Sequence, residues 1–216
     1  MPIKQNDFLE LEYTGTLKEE KIVFDTTDSV VAKANGLDSE GVKYGPVIVC
    51  VGQRHLVSGL DKFLIGKDLG KFSVEINPED AFGKKDAKLM RMVPTNKFLQ
   101  QKIRPVPGLQ VNIDGISGLI KTVNGGRTIV DFNHPLSGKV VVYEGKVNRM
   151  VTDTKEKVIA LGHLLLGKTV DVKLEGGVAT FESLHDVPAE VAGEFQKKFK
   201  ELCSVDFKFV KKEEKK

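Results

Sequence analysis

The segment Leu9–Tyr13 reads LELEY, and its apolar residues alternate with charged ones. A period of two residues is typical of a half-buried antiparallel strand, so Leu9, Leu11 and Tyr13 are expected to face a core. After a turn expected at Thr14 and Gly15, Ile22–Thr27 (IVFDTT) is rich in β-branched and aromatic residues and ends in side chains that can bond their own backbone. Together the two segments predict the start of an antiparallel sheet.

The chain that follows predicts a sheet built around one short helix. Ala34–Gly45 is polar and rich in glycine, as in a long surface loop, and Val47–Val51 is an apolar run typical of a buried strand. Within Leu56–Leu64 the apolar residues recur at helical spacing, and within Phe72–Ile76 they alternate again. One amphipathic helix is therefore expected between two strands.

From about residue 89 the pattern changes to short strand-like pieces. The pieces are Met90–Val93, Gln110–Ile113, Gly118–Val123 and Thr128–Phe132, with a hairpin turn at residues 124–126 (NGG). They predict a small all-β unit, after which Val140–Val147 resumes a long strand.

The C-terminal segment has its own order of elements. A helix is predicted near residues 155–166, strands near 170–174 and 179–184, a helix from Pro188, and a strand over Val205–Val210. In the second helix the apolar residues at 191, 195, 199 and 202 fall on one stripe, which predicts a core-facing surface. The predicted order is αββαβ.

Composition and charge exclude several function classes. Hydrophobic residues make up 40% and charged residues 29% of the 216 residues, as in an ordinary soluble globular protein. The net charge is +3 with lysines and acids interleaved, so neither nucleic acid nor a membrane is an expected partner. No apolar run is long enough for a membrane helix and the N-terminus lacks a signal-peptide core, so a cytoplasmic location is expected.

Cysteine and histidine give no sign of a disulfide or a metal centre. Cys50 and Cys203 lie far apart in unrelated contexts, and we interpret them as small buried apolar side chains. The four histidines stand singly, without the spacing of metal ligands. No metal site is expected.

Five short motifs, taken in order, carry a resemblance to a known family. They are Leu11–Gly15 (LEYTG), Val23–Thr27 (VFDTT), Leu56–Leu60 (LVSGL), Pro78–Gly83 (PEDAFG) and Asn133–Gly138 (NHPLSG). Each motif alone is weak, but the ordered set resembles the FKBP family of peptidyl-prolyl cis/trans isomerases, and more narrowly its SlyD-type and long archaeal members. The resemblance covers about residues 3–152.

The resemblance implies an α+β fold, in which an FKBP-like antiparallel half-barrel wraps one helix and carries a small inserted β-rich domain. The two parts of the isomerase domain are then residues 1–84 and 134–152, and an insert-in-flap chaperone domain spans 85–133. The remaining residues, 153–216, are expected to form a C-terminal α+β domain with the αββαβ order.

The family's proline pocket, carried over position by position, falls on eight residues of this sequence. They are Tyr13, Phe24, Asp25, Leu56, Val57, Leu60, Phe82 and Tyr143. Many members have tryptophan where Leu60 stands, although the SlyD-type members similarly use leucine, and tyrosine is common where Phe82 stands. The implied pocket floor is therefore aliphatic and shallower, and a hydroxyl bond from ring 82 to the substrate carbonyl is missing.

The implied reaction needs neither a metal nor a cofactor. Resonance opposes rotation about an X–Pro amide with a barrier of about 18–20 kcal/mol, and the twisted transition state is less polar than the planar ground state. A dry pocket of apolar and aromatic side chains therefore favours the transition state relative to water. Spacing alone leaves two roles open for Asp25, which either orients Tyr13 and acts on the twisting imide or bonds the amides of Thr26 or Thr27. The resemblance favours the pocket.

The implied insert domain offers apolar side chains to unfolded clients. They are Met90, Met92, Val93, Phe98, Leu99, Ile103 and Leu109. Exposed strand edges and Met-rich surfaces accept varied extended peptides by strand addition and adaptable packing. The alternative is that these residues fill a small core.

The implied function is a peptidyl-prolyl cis-trans isomerase that accelerates X–Pro isomerisation during protein folding, with chaperone activity from the insert. The alternative is a non-enzymatic holdase chaperone or adaptor with a degenerate proline pocket, for which Leu60 and Phe82 are the supporting features. The implied partners are proline-containing unfolded or partly folded polypeptides and macrolide inhibitors of the FK506 class. A homodimer through the C-terminal domain is a further alternative.

Overall fold

The computed structural model describes residues 1–39, 42, 44–166, 172–183 and 187–211. Its elements, in chain order, are β1 (Phe8–Leu17), β2 (Val23–Thr26), α1 (Ser29–Ala34), β3 (Val47–Cys50), α2 (Ser58–Leu64), β4 (Gly70–Ile76), β5 (Met90–Pro94), α3 (Thr95–Gln100), β6 (Gln110–Ile113), β7 (Ile116–Asn124), β8 (Arg127–Asp131), β9 (Val141–Met150), α4 (Thr154–Leu166), β10 (Val172–Glu175), β11 (Val178–Ser183), α5 (Ala189–Cys203) and β12 (Asp206–Lys211). They group into two compact units, which we call the split unit (Met1–Ile76 with Val141–Lys216) and the middle unit (Asn77–Val140).

The split unit contains a five-stranded sheet in the order β2-β1-β9-β4, with β3 also pairing with β1. All of its strand pairs are antiparallel. The alternation predicted in β1 is confirmed, because Leu9 and Leu11 are fully buried while Glu12 is exposed. The turn predicted at Thr14 and Gly15 is wrong, because β1 continues to Leu17. Burial of alternate side chains fixes which face of each strand meets the core.

Helix α2 lies where helical spacing predicts it, but it begins at Ser58 rather than Leu56. The backbone of Val57 is still extended, with φ −60° and ψ 144°, so the residues before Ser58 belong to the preceding segment. Leu60 and Leu64 of α2 are buried. The helix therefore covers one side of the sheet's core.

The C-terminal elements follow the order α4, β10, β11, α5, β12, which is the order that the sequence pattern predicts. Strands β10 and β11 are antiparallel, and β11 pairs in parallel with β12 after the crossover through α5. Their core is shared with the N-terminal sheet, because Phe8 and Cys50 lie in the same buried cluster as Phe181 and Phe199. Removing the C-terminal elements would expose that side of β1 and β3.

The middle unit holds a four-stranded antiparallel sheet in the order β5-β8-β7-β6. The predicted hairpin turn is confirmed, because β7 and β8 pair Asn124 with Arg127, and Gly125 and Gly126 between them have positive φ of 54° and 77°. A small core covers one face of this sheet. Its buried residues are Phe98, Val111, Ile120 and Val130.

Two short helices were not predicted. Helix α1 is capped by Asp28, whose carboxylate accepts the backbone N–H of Val30 at 2.7 Å and of Val31 at 3.2 Å. Helix α3 shows that the prediction of an all-β unit was wrong, and its Phe98 is only 3% exposed. Each helix has six residues, fewer than two turns. A segment this short is too short to reveal an apolar period of 3.6 residues in the sequence.

The predicted domain boundaries at residues 84, 133 and 152 stay predictions. The predicted strand ends at residues 170 and 184 lie outside the described residues. Within the described ranges, no helix combines the length and the apolar character needed to cross a membrane.

Candidate functional site

Strands β1, β2 and β9 bring together four of the predicted pocket residues, which we call the aromatic cluster. The register pairs Gly15 of β1 with Asp25 of β2 on one side and with Tyr143 of β9 on the other. The Tyr13 hydroxyl donates a hydrogen bond to Oδ2 of Asp25 at 3.0 Å. The ring of Tyr143 meets those of Tyr13 and Phe24 edge-on, at centroid distances of 5.6 and 5.8 Å. Three rings and one carboxylate thus share one half-buried site.

Gly15 permits this close approach of the rings, and sequence reasoning missed it. A Cβ at Gly15 would lie 2.7 Å from Cζ of Phe24 and 3.0 Å from Cε1 of Tyr143, so both rings would have to move. Gly15 is buried in β1, on the face of the strand where alternation predicts an apolar side chain. A glycine at a core-facing position of a strand is the signal that could have found it, because it marks a close approach of other groups.

Burial controls the ionisation of the aromatic cluster. It raises the pKa of Tyr13, and the charge of Asp25 and the hydrogen bond to it raise that pKa further. Burial also raises the pKa of Asp25, whereas hydrogen bonds from the Tyr13 hydroxyl and the Thr26 backbone lower it. The pKa of Tyr143 is raised by burial first and by the charge of Asp25 second. Both tyrosines therefore remain protonated donors at neutral pH, and Asp25 makes both kinds of contact that spacing left open.

Three aliphatic pocket candidates lie at the start of α2 and just before it. Leu60 is fully buried, and Leu56 and Val57 are partly buried. The Leu60 N–H donates to the Val57 carbonyl at 2.9 Å, which fixes the first turn of the helix. The three residues thus form one compact group at the helix N-terminus.

Two side chains hold the backbone that leads to these aliphatic residues. The Cys50 N–H donates to Nδ1 of His55 at 3.2 Å, and the Arg54 N–H donates to Oδ2 of buried Asp61 at 3.2 Å. Burial raises the pKa of Asp61. Burial lowers the pKa of His55, and the charge of Lys198 in α5 lowers it as well. The C-terminal helix is therefore close enough to act electrostatically on the segment before α2.

Phe82, the eighth pocket candidate, lies in the middle unit. Its ring stacks on that of His134 with a centroid distance of 5.1 Å and an interplanar angle of 2°. The Ser137 hydroxyl donates to the Phe82 carbonyl at 3.0 Å, and the Gly138 N–H donates to the Gly83 carbonyl at 2.8 Å. These contacts draw the two ends of the middle unit together. The role of Phe82 in a proline pocket stays a prediction.

The seven predicted client-binding residues divide into a buried set and an exposed set. Phe98 lies in the core of the middle unit, and Val93, Ile103 and Leu109 pack against that core. Met90, Met92 and Leu99 are 44%, 58% and 54% exposed. Only the exposed set can meet a client without unfolding the unit.

Strand register places two further apolar residues beside Met90 and Met92, and sequence reasoning missed both: Leu119 is 38% exposed and Ile129 is partly buried. Met92 pairs with Ile129, while Asp131 pairs with Met90 on one side and with Leu119 on the other. Directly paired residues share a face of the sheet, and this face is opposite to the one that carries the core. We call the apolar residues Met90, Met92, Leu119 and Ile129 the open face.

Both cysteines are buried and unpaired, as the sequence predicts. Burial raises the pKa of Cys50 to about 12 and that of Cys203 to about 11, so both are neutral thiols. In the part of the chain that the structure describes, no three His, Cys, Asp or Glu side chains converge as a metal site requires.

Two family models match this chain. The model described as FKBP-type peptidyl-prolyl cis-trans isomerase matches residues 1–104, and the model described as FKBP26, IF domain, matches residues 91–136. The short-type peptidyl-prolyl cis-trans isomerase of Methanocaldococcus jannaschii is 31% identical over 146 residues, covering 67% of this chain and 92% of that protein. The FKBP-type peptidyl-prolyl cis-trans isomerase SlyD of Vibrio cholerae is 30% identical over 169 residues, covering 76% of each chain. An FKBP-type 16 kDa peptidyl-prolyl cis-trans isomerase of Escherichia coli is 29% identical over 107 residues, covering 47% of this chain and 72% of that protein.

Proposed function

Because the chain belongs to the FKBP-type peptidyl-prolyl cis-trans isomerase family, we propose that its aromatic cluster binds the proline of an X–Pro bond and that its middle unit captures the unfolded client. The observation that carries the first part is the hydrogen bond from Tyr13 to Asp25, together with the edge-on contacts of the Tyr143 ring with those of Tyr13 and Phe24. A proline ring is apolar, and aromatic side chains offer it apolar contact without competing for the hydrogen bonds of its backbone.

The rings act by lowering the polarity around the amide. An X–Pro amide that twists loses resonance and with it part of its charge separation. The twisted amide therefore gives up less hydration free energy on leaving water than the planar amide does. Phe24, Tyr143, Val57 and Leu60 are the side chains that exclude water in this proposal. No covalent step is involved, and isomerisation that takes tens to hundreds of seconds unaided is accelerated by binding alone.

Asp25 has two roles in the proposed function, one positioning and one electrostatic. Its carboxylate holds the Tyr13 hydroxyl at 3.0 Å and thereby fixes the ring of Tyr13 against Tyr143. A charge fixed in a half-buried site acts on the changing dipole of the twisting imide more strongly than it would in water, because fewer water molecules screen it.

Client capture by the middle unit is supported by the exposure of Met90 and Met92 on the open face. Methionine side chains are flexible and polarisable, so they adapt to varied apolar partners. A client held by one site meets the second at a raised effective concentration, which can increase overall binding by about 10²–10⁴ without new contacts. Whole proteins should therefore gain more from the middle unit than short peptides do.

The experiment that tests the proposal is a protease-free assay of X–Pro isomerisation, run beside suppression of aggregation of an unfolded protein. We expect both activities, with isomerisation inhibited by a macrolide of the FK506 class that occupies the proline pocket. Aggregation suppression without isomerisation would favour a holdase with a degenerate pocket. Light scattering of the same sample tests a homodimer through the C-terminal elements.

A further inference from the structure

Charge is distributed unevenly between the two units of the chain. The middle unit carries ten Lys and Arg residues against five Asp and Glu, a net charge of +5. Because the whole chain has a net charge of +3, the split unit has a net charge of −2. The unit proposed to capture clients is therefore the basic part of an otherwise slightly acidic molecule.

Two lysines at the open face share a single carboxylate. Nζ of Lys85 and Nζ of Lys121 each lie 4.0 Å from Oδ2 of Asp131, at the outer limit of an ion pair. The side chain of Asp131 is only 7% exposed, whereas those of Lys85 and Lys121 are 51% and 38% exposed. Asn133 also binds Asp131 through its backbone N–H at 3.0 Å and its side-chain amide at 2.8 Å. The carboxylate is buried and held by Asn133, while the lysines reach solvent.

Two other acids of the middle unit already have partners within the unit. Glu79 pairs with Lys84 at 2.7 Å, and Asp86 accepts the backbone N–H of Lys88 at 2.8 Å. On the open face, the strand register places Asp131 as the carboxylate between Met90 and Leu119. Exposed apolar side chains are thus bordered by two lysines that share one carboxylate, which leaves a net positive charge beside them.

We propose that the open face selects extended client segments in which apolar residues are flanked by Asp or Glu. This inference rests on the proposed capture function and names its substrate class. The apolar residues of the client contact Met90, Met92, Leu119 and Ile129, and its carboxylates meet the exposed ammonium groups of Lys85 and Lys121. Client segments flanked by Lys or Arg are repelled by the same two groups.

The lysines contribute selectivity more than total affinity. Exposed ion pairs are weak individually, and salt screens them over a Debye length of about 10 Å at 0.1 M and about 3 Å at 1 M. Apolar contact is not screened by salt and persists for every client. The preference between acidic and basic flanks must therefore depend on ionic strength, while binding of an uncharged apolar segment does not fall with added salt.

Three labelled peptides and the full-length chain test the proposal by fluorescence anisotropy. The peptides share one apolar core without proline and carry Glu, Gln or Lys flanks, so they differ in charge alone. At low salt we expect the Glu peptide to bind about tenfold more tightly than the Lys peptide, with the Gln peptide between them. At about 1 M salt the three affinities should converge.

Two double variants with equal loss of charge locate the effect. Lys85→Gln with Lys121→Gln removes the two charges at the open face, and Lys97→Gln with Arg104→Gln removes two charges from α3 and the segment after it. The first variant should lose most of the Glu-over-Lys preference, and the second should keep it. Circular dichroism and thermal unfolding establish that both variants are folded, and the salt dependence of the unmodified chain tests the charge effect without any substitution.

The outcomes separate this inference from the capture function itself. Equal affinities for the three peptides at low salt would overturn the acidic preference while leaving capture intact, because the Gln peptide still binds. A preference that survives in the first variant or disappears in the second would place the charge effect elsewhere and overturn the assignment to Lys85 and Lys121. Absence of binding by all three peptides would overturn both the capture function and the preference.

Discussion

Replacing Tyr13 with Phe removes one hydroxyl from the aromatic cluster and leaves its ring. That hydroxyl donates to Oδ2 of Asp25 at 3.0 Å in a part-buried site. Hydrogen bonds to charged groups contribute about 1.5–3 kcal/mol, and partial access of water lowers this to roughly 1–2 kcal/mol because water can replace the lost donor. We expect Tyr13→Phe to lower the free energy of unfolding by that amount in urea titrations at neutral pH.

The same variant should raise the pKa of Asp25 further, because burial raises this pKa and the Tyr13 hydroxyl is the first of the groups that oppose the rise. A carboxyl whose folded-state pKa exceeds its unfolded value binds its proton more tightly when folded. Its stabilising contribution is therefore present below the unfolded pKa and is lost as pH rises through the folded pKa. The destabilisation by Tyr13→Phe should be smaller in acid than at neutral pH, and carboxyl NMR titration should show the higher pKa of Asp25.

Asp25→Asn completes a double-mutant cycle with Tyr13→Phe. In the background of Asp25→Asn the hydroxyl meets a neutral acceptor, so its loss should cost only about 0.5–1 kcal/mol, which leaves a coupling of about 1 kcal/mol. Both single variants should also slow isomerisation of an X–Pro peptide. Additive stability effects together with an unchanged Asp25 pKa would refute the hydrogen bond as the organising contact of the cluster.

Three further perturbations have defined expectations. Gly15→Ala should destabilise the folded protein by about 1–3 kcal/mol and impair isomerisation, because its Cβ would lie 2.7 Å from Phe24. The control Gly193→Ala, in α5, should stabilise the protein by about 0.5–1 kcal/mol, because a Cβ there would meet nothing within 4 Å. Equal shifts of the melting temperature in the two variants would contradict the steric account. Burial holds the pKa of His55 below its usual value, so the unfolded state binds more protons and the free energy of unfolding should fall as pH drops below about 6.5. A His55→Phe variant should lack this fall. Identical pH profiles of stability in the two proteins would exclude His55 as its cause. Truncation after Thr152 should lower the melting temperature, because Phe8 and Cys50 lose their buried neighbours. Isomerase activity per folded molecule should persist, since every proposed pocket residue precedes the cut. A truncated protein that folds but is inactive would show that the C-terminal elements belong to the site.

Sequence patterns predicted the longer helices and strands, whose apolar period repeats several times, and the order of elements along the chain. The alternation of β1 predicted the burial of Leu9 and Leu11 because a strand has a fixed period of two residues. The αββαβ order followed from the long apolar stripe of α5 and the strands around it. Helix α3 escaped because six residues carry no readable period, and the Phe98 that it buries was consequently assigned to a client surface.

The open face could not be read from alternation because β7 contains an irregularity. The register between β7 and β8 shifts between Ile120 and Thr122, so Leu119 and Thr122 face the same side although an unbroken alternation would oppose them. Leu119 is therefore recognised as part of the open face only once the pairing is known. Gly15 escaped for a related reason, since its importance lies in the rings that pack over it and not in any group of its own.

Proline isomerisation and client capture, in the function proposed above, reside at separate places in the chain, and excision of the capture surface tests that separation. Residues 85–133 are replaced by a short turn, which keeps the Gly138 N–H to Gly83 carbonyl bond of 2.8 Å and all eight pocket candidates. We predict that turnover of a proline tetrapeptide stays within about tenfold, a change of about 1.4 kcal/mol in the barrier, while catalysis of proline-limited refolding of a whole protein falls much further. Loss of both activities by the same factor, in a variant shown to be folded, would contradict the separation and make residues 85–133 part of the catalytic scaffold.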